Sequence, residues 1–274
     1  MQISCIQTNP QQNLADNVKS LIEQVRIAKQ SGSDLVVFPE MFTFMGSEAG
    51  RKETKSKITE GVFAKMQSLA QELDVYIVAG SHSETVENTD DKVYNTSVTY
   101  SNKGDVISQY RKIHLFNLKD EQGNKLYCES DVFAEGETLQ QPFQIHFNGE
   151  SWLALTIICY DLRFPEIIRK QKEPIDILFV PAAFTWQTGK DHWEILLRAR
   201  AIENQCYVVA CNQTGLHSNQ QKRNYGNSMV IDPWGNVVAR LGEECGILST
   251  VTSKDKIVES RQRLPALVDR KLPF

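Results

Sequence analysis

The chain has 274 residues, 41% hydrophobic and 23% charged, and this length and composition allow a globular protein with a sizeable core. Its net charge of −4 gives no basic footprint, so we expect no nucleic-acid partner. No apolar run is long enough to span a membrane, and no signal peptide is recognisable. The six cysteines form no CxxC pair, and the five histidines form no cluster of metal ligands. We therefore expect a cytoplasmic protein with reduced thiols, without a metal site and without membrane contact.

The first half of the chain alternates amphipathic helices with apolar strands. The pattern predicts, in order, a helix over 14–28 followed by Gly32 as its cap, a strand over 34–38, a helix over 62–73, and strands over 75–80, 93–100 and 106–111. Asn102-Lys103-Gly104-Asp105 is typical of a hairpin turn between the last two strands.

The second half repeats this alternation. It predicts a strand over 152–158, a helix over 167–171, a strand over 176–181, a helix over 193–204, a strand over 206–211, a hairpin over 229–239, and a short helix with an extended arm from Lys254. Helices between continuous apolar strands indicate a layered α/β architecture in a single domain over 1–274, and the hairpins favour mixed sheets. Ligands in such folds bind outside the carboxyl ends of strands, so residues there are candidates for a site.

Cys159 is one such residue, because it ends the apolar run over 152–158. A sharp turn there would expose its sulfur, and a following helix N-terminus would favour the thiolate, which is the nucleophilic form. The alternative interpretation is that Cys159 is a small buried hydrophobic residue.

Two charged residues also follow predicted strands. Glu40 comes after the strand over 34–38 and a proline, where partial burial would raise its pKa and suit it to act as a general base. Lys112 ends the strand over 106–111 and could direct its charge at a developing oxyanion. Each has a structural alternative: Glu40 as a carboxylate at a helix start, and Lys112 as a solvated charge beside Arg111.

Together these segments resemble the three signature motifs of the nitrilase superfamily of carbon–nitrogen hydrolases. The matching segments are Val36-Val37-Phe38-Pro39-Glu40, Tyr110-Arg111-Lys112-Ile113-His114-Leu115 and Cys159-Tyr160-Asp161-Leu162-Arg163-Phe164-Pro165-Glu166, and the resemblance extends through residues 181–184, 192–205 and 232–235. It implies a four-layer αββα sandwich with mixed sheets that dimerises through an outer layer, with the C-terminal arm from about 254 in the contact. It also implies a catalytic triad of Glu40, Lys112 and Cys159, with Glu129 as a second glutamate and no cofactor.

The expected reaction is hydrolysis of a small amide to an acid and ammonia. Cys159 attacks the carbonyl carbon, Glu40 takes and later returns the proton, and Lys112 with a backbone N–H stabilises the oxyanion before a thioester is hydrolysed. Two alternatives are a Cys–His hydrolase that uses His114 or His192, and a metabolite-binding protein without catalysis. Strand parity would put His114 on the same face as Lys112.

The segments around 159–166 and 198–210 look most like the Nit branch, which includes deaminated glutathione amidase and ω-amidase. Deaminated glutathione amidase is the favoured activity. The alternatives are ω-amidase, which acts on α-ketoglutaramate, and an aliphatic amidase or nitrilase. Arg163 is the candidate anchor for a substrate carboxylate, or else a structural partner of Asp161 or Glu166. Phe184 and Tyr160 are candidate pocket residues, with core packing as the alternative reading of Phe184.

Two features leave the substrate range open. Asn227 stands where relatives often carry histidine. The polar segment over 117–125 is predicted to be a loop, and loops commonly set specificity.

Overall fold

The computed structural model describes residues 1–87, 92–217 and 222–271, apart from the side chains of 48, 52, 56, 57, 59 and 60. The last three residues of the predicted C-terminal arm therefore lie outside the described part. Within it, two mixed β-sheets lie between outer layers of helices, so the predicted αββα sandwich is confirmed.

The first sheet has the strand order β17-β1-β2-β3-β4-β5, with β8 paired to β4. Its strands are β1 (Gln2–Gln7), β2 (Leu35–Val37), β3 (Tyr76–Thr85), β4 (Val93–Tyr100), β5 (Val106–Arg111), β8 (Phe133–Ala134) and β17 (Gly246–Val251). The pairs β1–β2 and β2–β3 are parallel, whereas β3, β4 and β5 run antiparallel. The carboxyl end of β2 and the segments after β5 and before β8 contribute to the site.

The second sheet has the order β16-β15-β12-β11-β10-β9. Its strands are β9 (Phe143–Phe147), β10 (Glu150–Thr156), β11 (Ile177–Ala182), β12 (Tyr207–Asn212), β15 (Met229–Ile231) and β16 (Val237–Arg240). The three central strands β10, β11 and β12 are parallel, so their carboxyl ends meet at one edge of the sheet. Two hairpins stand apart from both sheets: β6 (Asn117–Lys119) with β7 (Lys125–Cys128), and β13 (Thr214–Leu216) with β14 (Arg223–Tyr225).

The described residues form seven α-helices. They are α1 (Leu14–Gln30), α2 (Glu48–Ser56), α3 (Phe63–Leu73), α4 (Glu166–Arg169), α5 (Trp186–Thr188), α6 (Glu194–Asn204) and α7 (Lys254–Arg263). Asn13 caps α1, because its side chain accepts hydrogen bonds from the first free N–H groups, and Gly32 follows the helix with φ of 95°.

Three apolar clusters hold the layers together. The central cluster lies between the sheets and includes Ile3, Leu35, Val37, Val78, Trp152, Ile177, Phe179 and Val209. A second cluster joins α6 to the outer face of β10, β11 and β12, and a third joins α1 and α3 to the outer face of β1, β2 and β3. Alternate residues of one strand thus serve two cores, which explains why these strands are apolar throughout.

Several predicted boundaries need correction. The strand predicted over 152–158 ends at Thr156, the helix predicted over 167–171 is Glu166–Arg169, and a π-helical segment, Gly189–Trp193, precedes α6. The segment over 117–125 is not a loop but most of the β6–β7 hairpin. The helix α2 was not predicted, because its sequence is dominated by polar residues and lacks an apolar face.

Candidate active site

Cys159 lies at the tight turn that follows β10. It begins a 3-10 helix, Cys159–Arg163, with φ of 46°, a left-handed conformation that costs a non-glycine residue about 1–3 kcal/mol. The surrounding contacts must therefore hold this turn in place. Cys159 is half-buried there, with its side chain packed against the apolar cluster on the outer face of the second sheet.

Asp161 provides those contacts, although sequence reasoning treated it only as a candidate ion-pair partner. Its fully buried carboxylate accepts hydrogen bonds from the Ile158 N–H at 3.0 Å, the Tyr110 hydroxyl at 2.7 Å and the His114 N–H at 3.1 Å. The His114 Nδ1 lies 2.8 Å from the same carboxylate. Asp161 thus ties the Cys159 turn to the segment that carries Lys112.

Glu40 follows β2 and is 5% exposed. Its Oε1 accepts hydrogen bonds at 2.9 Å from both Lys112 Nζ and Asn95 Nδ2, and its Oε2 accepts one at 2.8 Å from the Ala183 N–H. The thiol of Cys159 is also within hydrogen-bonding contact of this carboxylate. One carboxylate therefore touches both the nucleophile candidate and the cation candidate.

Lys112 is 2% exposed and lies between two carboxylates. Its Nζ is 2.9 Å from Glu40 and 3.0 and 2.9 Å from the two oxygens of Glu129. A buried ammonium is tolerated only when it is paired and hydrogen-bonded, so this arrangement satisfies it. It is not a solvated charge beside Arg111, whose guanidinium pairs instead with Glu84.

Glu129 and Asn95 complete the group. Glu129 is 5% exposed and accepts a hydrogen bond from the Phe116 N–H at 2.6 Å. Asn95, on β4, donates its amide hydrogens to Glu40 at 2.9 Å and to Glu129 at 3.2 Å. Sequence reasoning missed Asn95; its only signal was a short polar residue inside an otherwise strand-like segment.

The charges in this group set the direction of each pKa shift. Burial favours protonation of Glu40, but the charge of Lys112 and hydrogen bonds from Lys112, Cys159 and Asn95 outweigh it and hold the pKa of Glu40 below its ordinary value. The predicted rise was therefore wrong, because the partner charge was not visible in the sequence. Burial would lower the pKa of Lys112, but Glu129 and Glu40 raise it well above its ordinary value.

The thiol of Cys159 differs from its predicted state. Burial raises its pKa well above the ordinary value and the charge of Glu40 adds to the rise, while Lys112 opposes them. The expectation that the turn favours a resting thiolate is thus wrong. The resting group is a thiol next to an ionised carboxylate, so a proton acceptor lies in contact with it.

The carboxyl ends of β11 and β12 support the same group. The Gln213 side chain donates to the backbone carbonyl of Glu40 at 2.6 Å, and the Asn212 side chain accepts from the Phe184 N–H at 2.8 Å. These contacts fix the segment whose Ala183 N–H binds Glu40. The parallel strand ends thus converge on the candidate site, as the sequence predicts.

Arg163 lies beside two aromatic rings near this group. Its guanidinium carbon is 5.8 Å from the ring centroid of Tyr160 and 5.4 Å from that of Phe184, and its Nη1 and Nη2 are each 3.3 Å from Nδ1 of His192. In the described ranges, no ion pair joins Arg163 to Asp161 or Glu166, and Asp161 is occupied elsewhere. The positive charge of Arg163 is therefore available to a ligand.

The aromatic candidates differ in burial. Tyr160 is half-buried and its ring lies 5.1 Å from that of Phe116. Phe184 is 4% exposed and its ring packs 5.0 Å from that of Trp193, so most of Phe184 belongs to the core. Trp193 is fully buried, which leaves Tyr160 as the more accessible aromatic side chain.

His114 and His192, the candidate bases of the alternative Cys–His hypothesis, contact residues other than Cys159. The strand β5 ends at Arg111, so strand parity does not apply to His114; its ring stacks on Phe164 at 3.7 Å and contacts Asp161. His192 contacts Arg163. Glu40 rather than a histidine therefore contacts the thiol.

Asn227 is buried and occupies a left-handed position with φ of 55°, which asparagine tolerates better than most residues. Its side-chain oxygen accepts two hydrogen bonds from Arg240, at 3.1 and 2.7 Å. Its side-chain amide donates to the Tyr225 carbonyl at 2.7 Å, so its contacts are structural ones.

Two findings concern the described part of the chain as a whole. No group of three or more His, Cys, Asp or Glu side chains there could hold a metal ion. Nor does any helix in the described ranges combine the length and apolar character that crossing a membrane requires.

Comparison with known proteins assigns this arrangement to a family. Residues 2–262 match the carbon-nitrogen hydrolase family model. A Synechocystis protein named deaminated glutathione amidase is 38% identical over 97% of this chain and 97% of its own length. The human protein of the same name is 36% identical over 93% of this chain and 77% of its own length.

Solved structures agree with these matches. The Caenorhabditis elegans NitFhit protein superposes with a TM-score of 0.91 at 30% identity, covering 98% of this chain and 65% of that longer chain. Saccharomyces cerevisiae Nit3, a member of branch 10 of the nitrilase superfamily, superposes with a TM-score of 0.82 at 28% identity, covering 97% and 94% of the two chains.

Proposed function

This chain belongs to the carbon-nitrogen hydrolase family and is an amidase, and from that premise we propose that Glu40, Lys112, Glu129 and Cys159 carry out its chemistry. The observation that supports this assignment is that one buried carboxylate, Glu40, contacts both the Cys159 thiol and the Lys112 ammonium. A nucleophile, a proton acceptor and a fixed positive charge thus lie close to one another.

In the first half-reaction, Glu40 takes the proton of Cys159 as the sulfur attacks the amide carbonyl carbon. Its lowered pKa keeps Glu40 ionised before the attack. The carbonyl oxygen becomes an oxyanion that Lys112 and the Tyr160 N–H stabilise, since Tyr160 lies in the first helical turn where N–H groups lack intrahelical acceptors. Glu40 then returns the proton to the leaving nitrogen, which leaves a thioester on Cys159.

In the second half-reaction, Glu40 removes a proton from water, and the resulting hydroxide attacks the thioester carbon. The tetrahedral intermediate expels the Cys159 sulfur, which regains its proton from Glu40, and the carboxylic acid departs. Glu129 keeps Lys112 oriented and charged through both steps. Asn95 holds Glu40 and Glu129 at a fixed separation.

We propose deaminated glutathione as the substrate, with α-ketoglutaramate as the alternative. The support is the relatives of that name, which match over nearly the full chain, together with the guanidinium of Arg163 beside Tyr160, which forms no ion pair with a carboxylate of the described residues. Deaminated glutathione is an amide between a 2-oxo acid and cysteinylglycine, so its hydrolysis releases that dipeptide. The ammonia that the sequence predicts would come only from a primary amide such as α-ketoglutaramate.

The products therefore decide between the two substrates. We would measure 2-oxoglutarate, ammonia and free thiol-containing amine from deaminated glutathione, α-ketoglutaramate, a neutral aliphatic amide and a nitrile, with Cys159→Ala as the blank. A kcat/KM highest for deaminated glutathione supports the proposal, and one highest for α-ketoglutaramate indicates an ω-amidase. No turnover of any of the four would favour a metabolite-binding role.

Under these proposals the protein works in the cytoplasm as a homodimer. The helix α6 carries Ile195 and Ile202, which are seven residues apart, lie on one face and are 71% and 49% exposed. In the C-terminal arm Val268 is 81% exposed, which supports its place in the same contact. Light scattering should give a dimer that Ile195→Asp with Ile202→Asp converts to a monomer, whereas Ile27→Asp, at a 47% exposed position of α1, keeps it.

A further inference from the structure

Arg51 is a buried cation with unusual surroundings. It lies on α2, is 8% exposed and has aromatic rings nearby, 5.1 Å to the ring centroid of Phe133 and 6.0 Å to that of Phe44. Its Nη1 donates to the Met41 sulfur at 3.1 Å and the Ser83 hydroxyl at 3.3 Å. Sulfur is a weak acceptor, so these contacts satisfy only part of the guanidinium.

No carboxylate of the described residues forms an ion pair with Arg51. Arg200, which is also buried in the described part of the chain, shows the usual arrangement: it pairs with Glu203 at 3.0 Å and donates to the Leu162 carbonyl at 2.7 and 3.1 Å. In the described part of the chain Nε and Nη2 of Arg51 have no hydrogen bond, yet neither is among the unpaired atoms sealed from solvent. They therefore keep some contact with solvent, the side from which a ligand would approach.

Arg51 adjoins the proposed catalytic group. Met41, which it contacts, follows Glu40 directly, and the charges of Glu129 and Glu40 act on the guanidinium. Burial lowers the pKa of Arg51, but arginine remains protonated at physiological pH, so the side chain keeps a positive charge that no carboxylate of the described residues pairs with directly.

The charge balance of the site gives Arg51 a function. Glu40 and Glu129 are two negative charges held by one positive charge, Lys112, so an incoming carboxylate would meet a net negative group. A second cation offsets this repulsion. The Nε and Nη2 nitrogens of this buried guanidinium, which have no hydrogen bond within the described part of the chain, also match the two oxygens of a carboxylate.

We propose that Arg51 binds the carboxylate on the acyl part of the substrate, the part that remains on Cys159 as the thioester. This inference rests on the proposed function and adds a second anion site to it. Arg163, which is only half-buried, then takes the carboxylate of the leaving group, which must depart towards solvent. Together they make the site selective for an amide with carboxylates on both sides of the reacting bond.

The test compares substrates that differ in one group. Glutaramate and pentanamide are both five-carbon primary amides, but only glutaramate has a carboxylate. Deaminated glutathione has a carboxylate on its acyl part, as glutaramate does, and a second carboxylate on its leaving group. We expect Arg51→Met to reduce kcat/KM for glutaramate and deaminated glutathione by about 10- to 100-fold, mainly through KM, and to reduce pentanamide turnover far less. Arg163→Met should reduce the rate for deaminated glutathione but have little effect on glutaramate.

Arg26→Met is the control, because Arg26 lies on the surface of α1 and pairs with Glu72. It should leave all three rates unchanged. If Arg51→Met does not fold, as judged by thermal unfolding, Arg51→Lys replaces it; this variant keeps the charge, loses the planar fork and should lose part of the preference for glutaramate.

Equal losses on glutaramate and pentanamide would mean that Arg51 only supports the fold near Glu40, and would overturn the proposal. A wild-type preference for pentanamide would overturn it too. If instead wild type prefers glutaramate but does not hydrolyse deaminated glutathione, the proposed substrate fails while the Arg51 comparison still decides the anchor.

Discussion

Replacing Glu40 by glutamine tests whether one carboxyl group serves both half-reactions. Besides its contact with the Cys159 thiol, Glu40 accepts three hydrogen bonds, from Lys112, Asn95 and Ala183. Glutamine has one acceptor oxygen and an NH₂ donor. If its oxygen faces Lys112 and Asn95, the NH₂ group meets the Ala183 N–H, and at least one contact becomes donor against donor.

The structural cost should be about 1–3 kcal/mol, because one buried donor is left unpaired. The catalytic cost should be larger, because the amide cannot accept the thiol proton. General base catalysis contributes about 10²–10⁴-fold, so kcat should fall by at least that factor. The loss would apply to acylation and to thioester hydrolysis alike, so the steady-state fraction of thioester should stay close to that of the wild type.

The same substitution should lower the pKa of Cys159. The charge of Glu40 raises that pKa in the wild type, whereas the charge of Lys112 lowers it. Removing the first leaves the second, so the thiolate should form at lower pH. The rate of alkylation by iodoacetamide as a function of pH measures this shift, with Glu72→Gln, on the surface, as a control that keeps the wild-type profile.

A Glu40→Gln variant with near-normal kcat would refute the reasoning, and would return the role of base to a histidine such as His114. An unchanged or higher thiol pKa would show that the Glu40 charge does not act on the sulfur.

Three further outcomes follow from the same contacts. Lys112→Met should abolish turnover and destabilise the fold by about 3–5 kcal/mol, because it leaves Glu40 and Glu129 buried without a counter-ion; denaturant unfolding measures the loss, and a stable, active variant would contradict it. Asn95→Leu should lower kcat about 10-fold with little change in KM, since Asn95 positions Glu40 and touches no substrate. A rise in KM as large as the fall in kcat would refute a positioning role. The fall of kcat/KM on the acid side should occur below pH 4.5, because the pKa of Glu40 is held below that value. The charged pair of Glu40 with Lys112 is lost only as the pH falls through the folded-state pKa of Glu40. A fall of kcat/KM above pH 4.5, with circular dichroism showing the protein folded, would contradict this.

The sequence alone determined the architecture and the chemical types in the site. Period-2 and period-3.6 patterns are local, so most strands and the helices α1 and α3 were predicted to within a few residues, and three short motifs identified Glu40, Lys112 and Cys159. The helix α2 was missed, because its residues show no apolar face.

Only the tertiary structure decided how these residues act on one another. The Ala183 N–H reaches Glu40 from 143 positions away in the chain, and Asn95 and Asp161 gain their roles only where separate strands converge. The directions of the pKa shifts depend on the same convergence: burial favours a neutral Glu40, and the adjacent ammonium of Lys112 reverses that preference. The charge of Arg51 is equally uninformative in the sequence, because whether a cation is paired depends on which carboxylates the fold brings near it.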